Sequence, residues 1–140
     1  FDVYKKNLLE AKKLTESKGA YFLHFLQPHL FSGDSEKHSL YEKKLINTTP
    51  SEMIPHCGKN YLTSSSRIFS KRHNELVKAG INSSNLSKVL DRNDSSNVQN
   101  EYYLDMIHIT EEGNKKIANQ ISKAIYRILD WLKVISQKIE

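Results

Sequence analysis

Asp105-Met106-Ile107-His108 sets a carboxylate three residues before an imidazole. A catalytic imidazole needs one ring nitrogen held by an acceptor so that the other is a free base. An aspartate at this separation meets that need if a turn brings the two side chains together. The chemistry would be proton transfer: activation of a hydroxyl nucleophile, then return of the proton to a leaving group. On spacing alone, an Asp that caps a turn beside a His that packs is the simpler account.

Other residues offer weaker chemistry. Gln27 stands at the end of an apolar run, where a strand would point it into a cleft, and it is a candidate substrate contact. Glu42 lies three residues after Ser39, the spacing of a helix capping box, which accounts for it without a catalytic role. His24 reads as a packed strand residue, and His29, His38 and His73 as solvent-facing. His56 and Cys57 are adjacent, poor geometry for two ligands of one metal, so no metal site is expected. Ser64-Ser65-Ser66 reads as a solvent-facing stretch of helix. Trp131 belongs to an amphipathic helix whose default is core packing.

The elements that would position these residues follow from periodicity. Tyr4, Leu8, Ala11 and Leu14 share a helical face, and Gly19 marks the stop. Residues 20–26, Ala-Tyr-Phe-Leu-His-Phe-Leu, form a short apolar run bounded by Gly19 and by Gln27-Pro28, which predicts a buried strand. A short helix is expected from Ser39 to about Ile46 and a longer one over 61–79, with Gly80 as its stop. Residues 81–100 are rich in Asn, Ser and Asp, with Leu86, Val89 and Leu90 as a candidate short strand, and 101–104 is a candidate extended segment. Thr110 is the expected N-cap of the longest helix, with Glu111 and Glu112 at its positive end. Ile117, Ile121, Ala124, Ile128, Leu132, Ile135 and Ile139 form its apolar stripe. Helix, strand, helices, short strand, helix is an α/β order.

The chain has 140 residues and a net charge of +5, from 21 Lys+Arg against 16 Asp+Glu. That length suits one domain. No apolar run approaches the roughly 20 residues of a membrane helix. A single Cys excludes an internal disulfide framework. The lysines are scattered among glutamates, which argues against nucleic acid as a partner.

Tyr103-Leu104-Asp105-Met106-Ile107-His108-Ile109-Thr110, with Gly113-Asn114 and Ile117-Ala118, resembles the last motif block of the SGNH (GDSL-type) hydrolases. There, Asp-x-x-His-hydrophobic-Thr-x-x-Gly-Asn leads into a C-terminal helix. Phe25-Leu26-Gln27-Pro28, followed by Ser39-Leu40-Tyr41-Glu42, looks like the strand end and next helix of one branch of that family. The resemblance implies a flavodoxin-like three-layer α/β/α sandwich with a parallel sheet. It also implies an ester hydrolase in which His108 is the general base and Asp105 orients it, with no cofactor. The substrate would be a small acyl ester or an O-acylated sugar.

The family's nucleophilic serine and oxyanion-hole residues precede the helix at which this chain begins. Residues 1–140 are therefore expected to be the C-terminal part of one such domain, inactive alone, with the serine supplied upstream of Phe1. Ser32-Gly33-Asp34-Ser35 contains the letters Gly-Asp-Ser but follows the wrong strand, and reads as a polar turn. Two other functions fit the same residues: O-acyl transfer, and an inactive or truncated α/β domain that binds a carbohydrate or protein. An exposed sheet edge would favour a homodimer. No signal-peptide pattern is present in these residues, so the compartment is left open.

Overall fold

The computed structural model describes residues 1–48, 58–92, 101–105 and 107–137, less the side chains of residues 35, 58–60 and 132–136. Helix α1 (Asp2–Glu16) is followed by strand β1 (His24–Leu26), a 3-10 turn (Ser35–Lys37), α2 (Leu40–Thr48), α3 (Gly58–Lys78), β2 (Ser83–Asn85) and α4 (Glu111–Ser136). β1 and β2 pair in parallel, with His24 opposite Ser83, Phe25 opposite Ser84 and Leu26 opposite Asn85. Parallel neighbours need a long crossover, and α2 and α3 lie within it. α3 also packs on β2.

The expected three-layer sandwich is not built. The described residues form four helices and one two-stranded sheet. The physical reason is the supply of ladder partners. Of the apolar run 20–26 only His24–Leu26 is strand, because β2 offers just three residues to pair with. The second strand also falls earlier than expected. Its residues are Ser83–Asn85, while Leu86 and Leu90 turn away and bury in the core. Residues 101–104 contribute a single antiparallel bridge, Tyr103 to Ile109.

Local signals fare better. Gly19 and Gly80 both take positive φ, 73° and 81°, just past the ends of α1 and α3. At the second stop the Gly80 and Ile81 N–H groups donate to the carbonyls of Val77 and Leu76. Phe1 and Tyr4 fix α1 against α3 by edge-on contacts with Phe69, at 5.5 and 5.0 Å between ring centroids. Leu14, expected on the inner face, is exposed.

The core gathers Leu30, Phe31, Leu90, Tyr102 and Tyr103, with Leu45, Ile46, Leu62, Ile109 and Ile117 packed against it. It lies directly under the segment that precedes α4. On α4, Ile117, Ile121, Ala124 and Ile128 are half-buried as the stripe predicts, whereas Leu129 and Trp131 are exposed. The Leu132 and Ile135 side chains and Ile139 lie outside the described residues. No helix among the described residues is long and apolar enough to cross a membrane.

Candidate active site

The Asp105–His108 loop stands on the core by two feet. Tyr103 and Ile109 bridge across it, the Leu104 N–H donates to the His108 carbonyl at 2.9 Å, and the Thr110 N–H donates to the Tyr102 carbonyl at 3.0 Å. The Tyr41 hydroxyl ties it to α2 by donating to the Leu104 carbonyl. Immediately after the loop, Thr110 Oγ1 accepts the Gly113 N–H at 3.2 Å and donates to the Glu101 carbonyl at 2.7 Å. It is thus the N-cap expected of it. A Cβ at Gly113 would collide with the Tyr102 carbonyl oxygen and the Ile109 side chain. Glycine there lets the helix start press against the loop's feet.

Within the loop both carboxylate oxygens of Asp105 are engaged. Oδ1 accepts the backbone N–H groups of Ile107 (2.9 Å) and His108 (2.8 Å), and Oδ2 lies 2.6 Å from His108 Nδ1. Donation from the His108 and Ile107 backbone N–H groups, and then from the imidazole, holds this carboxyl down at about 2. An ionised carboxylate only accepts, so Nδ1 carries a proton and Nε2 of the neutral ring presents its lone pair. Among the described residues Nε2 has no hydrogen-bond partner. The imidazole is 68% exposed. The arrangement is an oriented, accessible base.

Gln27 sits at the C-terminal end of β1, exposed. It lines a groove of about 260 Å³ with Pro28, His29, Phe31, Leu62 and Ile107. Ile107 is His108's neighbour, so Gln27 and the loop border the same groove. The two were widely separated in sequence.

A second pairing was not foreseen. Ser66 is buried, and its Oγ lies 2.5 Å from His29 Nε2. The proton positions make it structural. Ser66 Oγ donates to the Leu62 carbonyl at 2.6 Å, and His29 Nδ1 accepts the Phe31 N–H at 3.2 Å. The proton of His29 is therefore on Nε2, which gives rather than takes. Burial also pushes this imidazole below its usual range, which keeps it neutral.

The other histidines correct the solvent-facing expectation. His38 and His73 are buried and His29 is half-buried. His24 Nε2 meets the Tyr4 hydroxyl at 2.6 Å, and Ser83 Oγ bridges His24 Nδ1 (2.6 Å) to His73 Nε2 (2.7 Å). Helical and strand periods gave no sign of these contacts, because they join elements distant in sequence. Ser32 is a turn residue, as expected: its Oγ accepts the His29 N–H and has the carbonyls of His29 and Ser87 as acceptors for its single proton, at 2.7 and 2.9 Å. His56, Cys57 and the Ser35 side chain lie outside the described residues. Among the described residues, no three His, Cys, Asp or Glu side chains gather as metal ligands.

Compared with protein families, with characterised proteins and with solved structures, the chain matches none.

Proposed function

We propose that this chain carries the general base of an SGNH-type serine ester hydrolase, with His108 as base and Asp105 as its orienting partner. The observation that carries this reading is the 2.6 Å contact of His108 Nδ1 with a carboxylate pinned by two backbone N–H groups, which leaves Nε2 open to solvent. In the reaction, Nε2 takes the hydroxyl proton of a serine as its Oγ attacks the ester carbonyl carbon. The imidazolium, stabilised by Asp105, then protonates the departing alkoxide. Water repeats the sequence on the acyl-enzyme and frees the acid. The reading requires a serine and oxyanion donors, and among the described residues no hydroxyl is hydrogen-bonded to Nε2.

The substrate is an acyl ester, and an O-acylated sugar suits a groove with both a polar and an apolar wall. Pro28, Phe31, Leu62 and Ile107 provide apolar contact for an acyl chain, and the Gln27 amide provides a donor and an acceptor for hydroxyls. The test is turnover of p-nitrophenyl acetate by the chain expressed with whatever precedes Phe1 in its reading frame. Turnover lost in His108→Ala is the expected result. Wild-type rates in that variant would remove His108 from the mechanism.

A further inference from the structure

A second cavity, of about 480 Å³, lies on the other side of Phe31 from the Gln27 groove. One wall is a face of α3: Thr63, Arg67, Ser70 and Lys71 recur at helical spacings of four, three and one, and all line the cavity. Lys88, from the segment after β2, also lines it. Leu30, Phe31 and Ile46 supply an apolar floor. Three lining cations face one lining carboxylate, Asp34, with a second, Asp91, at the rim where it accepts the Asp34 N–H, so the cations stay in excess.

Among the described residues the lining cations, like several exposed lysines elsewhere, are unengaged; what sets these three apart is that they share one cavity. Arg72, next along α3, is held by Asp2 and Glu75, and Arg92 by Glu42. The side chains of Arg67, Lys71 and Lys88 have no ion-pair or hydrogen-bond partner among the described residues, and neither has the Thr63 hydroxyl. Asp34 turns one oxygen to the Glu36 N–H rather than to a cation. His38, which also lines the cavity, is 7% exposed and keeps Nδ1 buried without a partner among the described residues. Unpaired cations brought to one concave surface repel each other, and an anion between them relieves that repulsion.

We infer that this cavity binds a small phosphoryl ester, the dianionic phosphoryl group between Arg67, Lys71 and Lys88 and its organic body on Leu30, Phe31 and Ile46. The volume falls in the range of small-molecule sites, about 300–1,000 Å³. Arg67 offers a planar fork for two phosphoryl oxygens and the lysines offer point charges. The concave shape and apolar floor favour a small ester over a nucleic-acid backbone, which would need a track of cations along a surface. The site is independent of the Asp105–His108 reading.

The test is titration of the purified 140-residue chain with phenyl phosphate, followed by backbone amide chemical shifts. Saturable shifts are expected at Phe31, Thr63, Lys71 and Lys88. Inorganic phosphate should bind more weakly and phenol not at all. Arg67→Gln, Lys71→Gln and Lys88→Gln should each weaken binding about tenfold, the loss of one charge-assisted hydrogen bond. Asp34→Asn should tighten it, and Lys13→Gln on α1 and His108→Ala should leave it unchanged. The exposed cations can be replaced without disturbing the core, and the amide spectrum verifies that. The inference is overturned by an absence of saturation up to about 10 mM, the weak end of measurable affinity. It is also overturned by equal shifts at basic residues of α1 and α4, by unchanged affinity in the three Gln variants, or by a single-stranded oligonucleotide that binds the same residues more tightly than phenyl phosphate.

Discussion

Two carboxylates in this molecule each hold a basic side chain at almost the same distance, in opposite surroundings. Glu42 Oε2 meets Arg92 Nη1 at 2.5 Å with both side chains buried, 0% and 8% exposed. Asp105 Oδ2 meets His108 Nδ1 at 2.6 Å with 51% and 68% of the side chains exposed. Around Glu42, burial pushes the carboxyl up, but Arg92 and the Ser39 and Tyr102 N–H groups together hold it below its usual range. The Arg92 fork engages both oxygens and its guanidinium lies over the Tyr102 ring. That pair locks α2 to the foot of the Asp105–His108 loop at Tyr102, and its burial closes it to solutes. The exposed pair stabilises little, since surface pairs contribute about 0–1 kcal/mol, but its base is available. Contact length says nothing about role; access to the free nitrogen does.

The largest effect that separates the two regions is on turnover. In the full reading frame, His108→Ala should lower ester hydrolysis by about 10⁴-fold or more, the scale of losing a triad member. The free energy of unfolding should change by less than about 0.5 kcal/mol, as for exposed positions generally. A large loss of stability in that variant would break the division.

Glu42→Gln should do the reverse. It leaves Arg92 charged in a buried place, which costs about 3 kcal/mol in urea unfolding. Asp105→Asn should change unfolding barely at all. Equal costs for the two substitutions would contradict the contrast in burial.

Acid should sharpen it next. Burial lowers the folded-state pKa of His24, His29, His38 and His73 from 6.5. Just below pH 6.5 the unfolded chain therefore binds more protons, and stability should fall as pH drops through and below that value. Asp105 behaves oppositely in position: its contribution stays until pH falls from the ordinary carboxylate value of 3.8 toward about 2. Thermal melts at a series of pH values should show the first loss near the histidine range. Constant stability down to pH 4 would contradict the buried-histidine account.

The smallest expected effect is at Gly113. Alanine would gain up to about 1 kcal/mol of helix propensity, but the Cβ overlaps the Tyr102 carbonyl oxygen and overpacking costs about 1–3 kcal/mol. Net destabilisation by about 1 kcal/mol is predicted; a stabilised variant would show that α4 is not pressed against the loop.

What was legible in the sequence was local. The Ser39–Glu42 capping box forms as its spacing predicts, each backbone N–H taking the other's side chain at 3.0 Å. Thr110 caps α4, and Gly19 and Gly80 end their helices, because these signals act within one turn. The Asp105–His108 contact belongs to the same class, since a five-residue loop holds both partners. Glu42's second role was hidden because Arg92 is 50 residues away. So was the Ser66–His29 contact, and the burial of His38 and His73, which periodicity does not encode. The sandwich was expected from the family resemblance and the strands from apolar runs, yet a run becomes a sheet only where neighbouring strands supply ladder partners, and β1 finds three.

The central claim is that Asp105 holds His108 with Nδ1 protonated and Nε2 bare. Long-range ¹H–¹⁵N correlation of the imidazole, recorded on this chain with the ring neutral, reads it directly. The account predicts a protonated Nδ1 and an unprotonated Nε2 in the wild type, with Asp105→Asn losing that tautomer. A wild-type ring with its proton on Nε2 would contradict it.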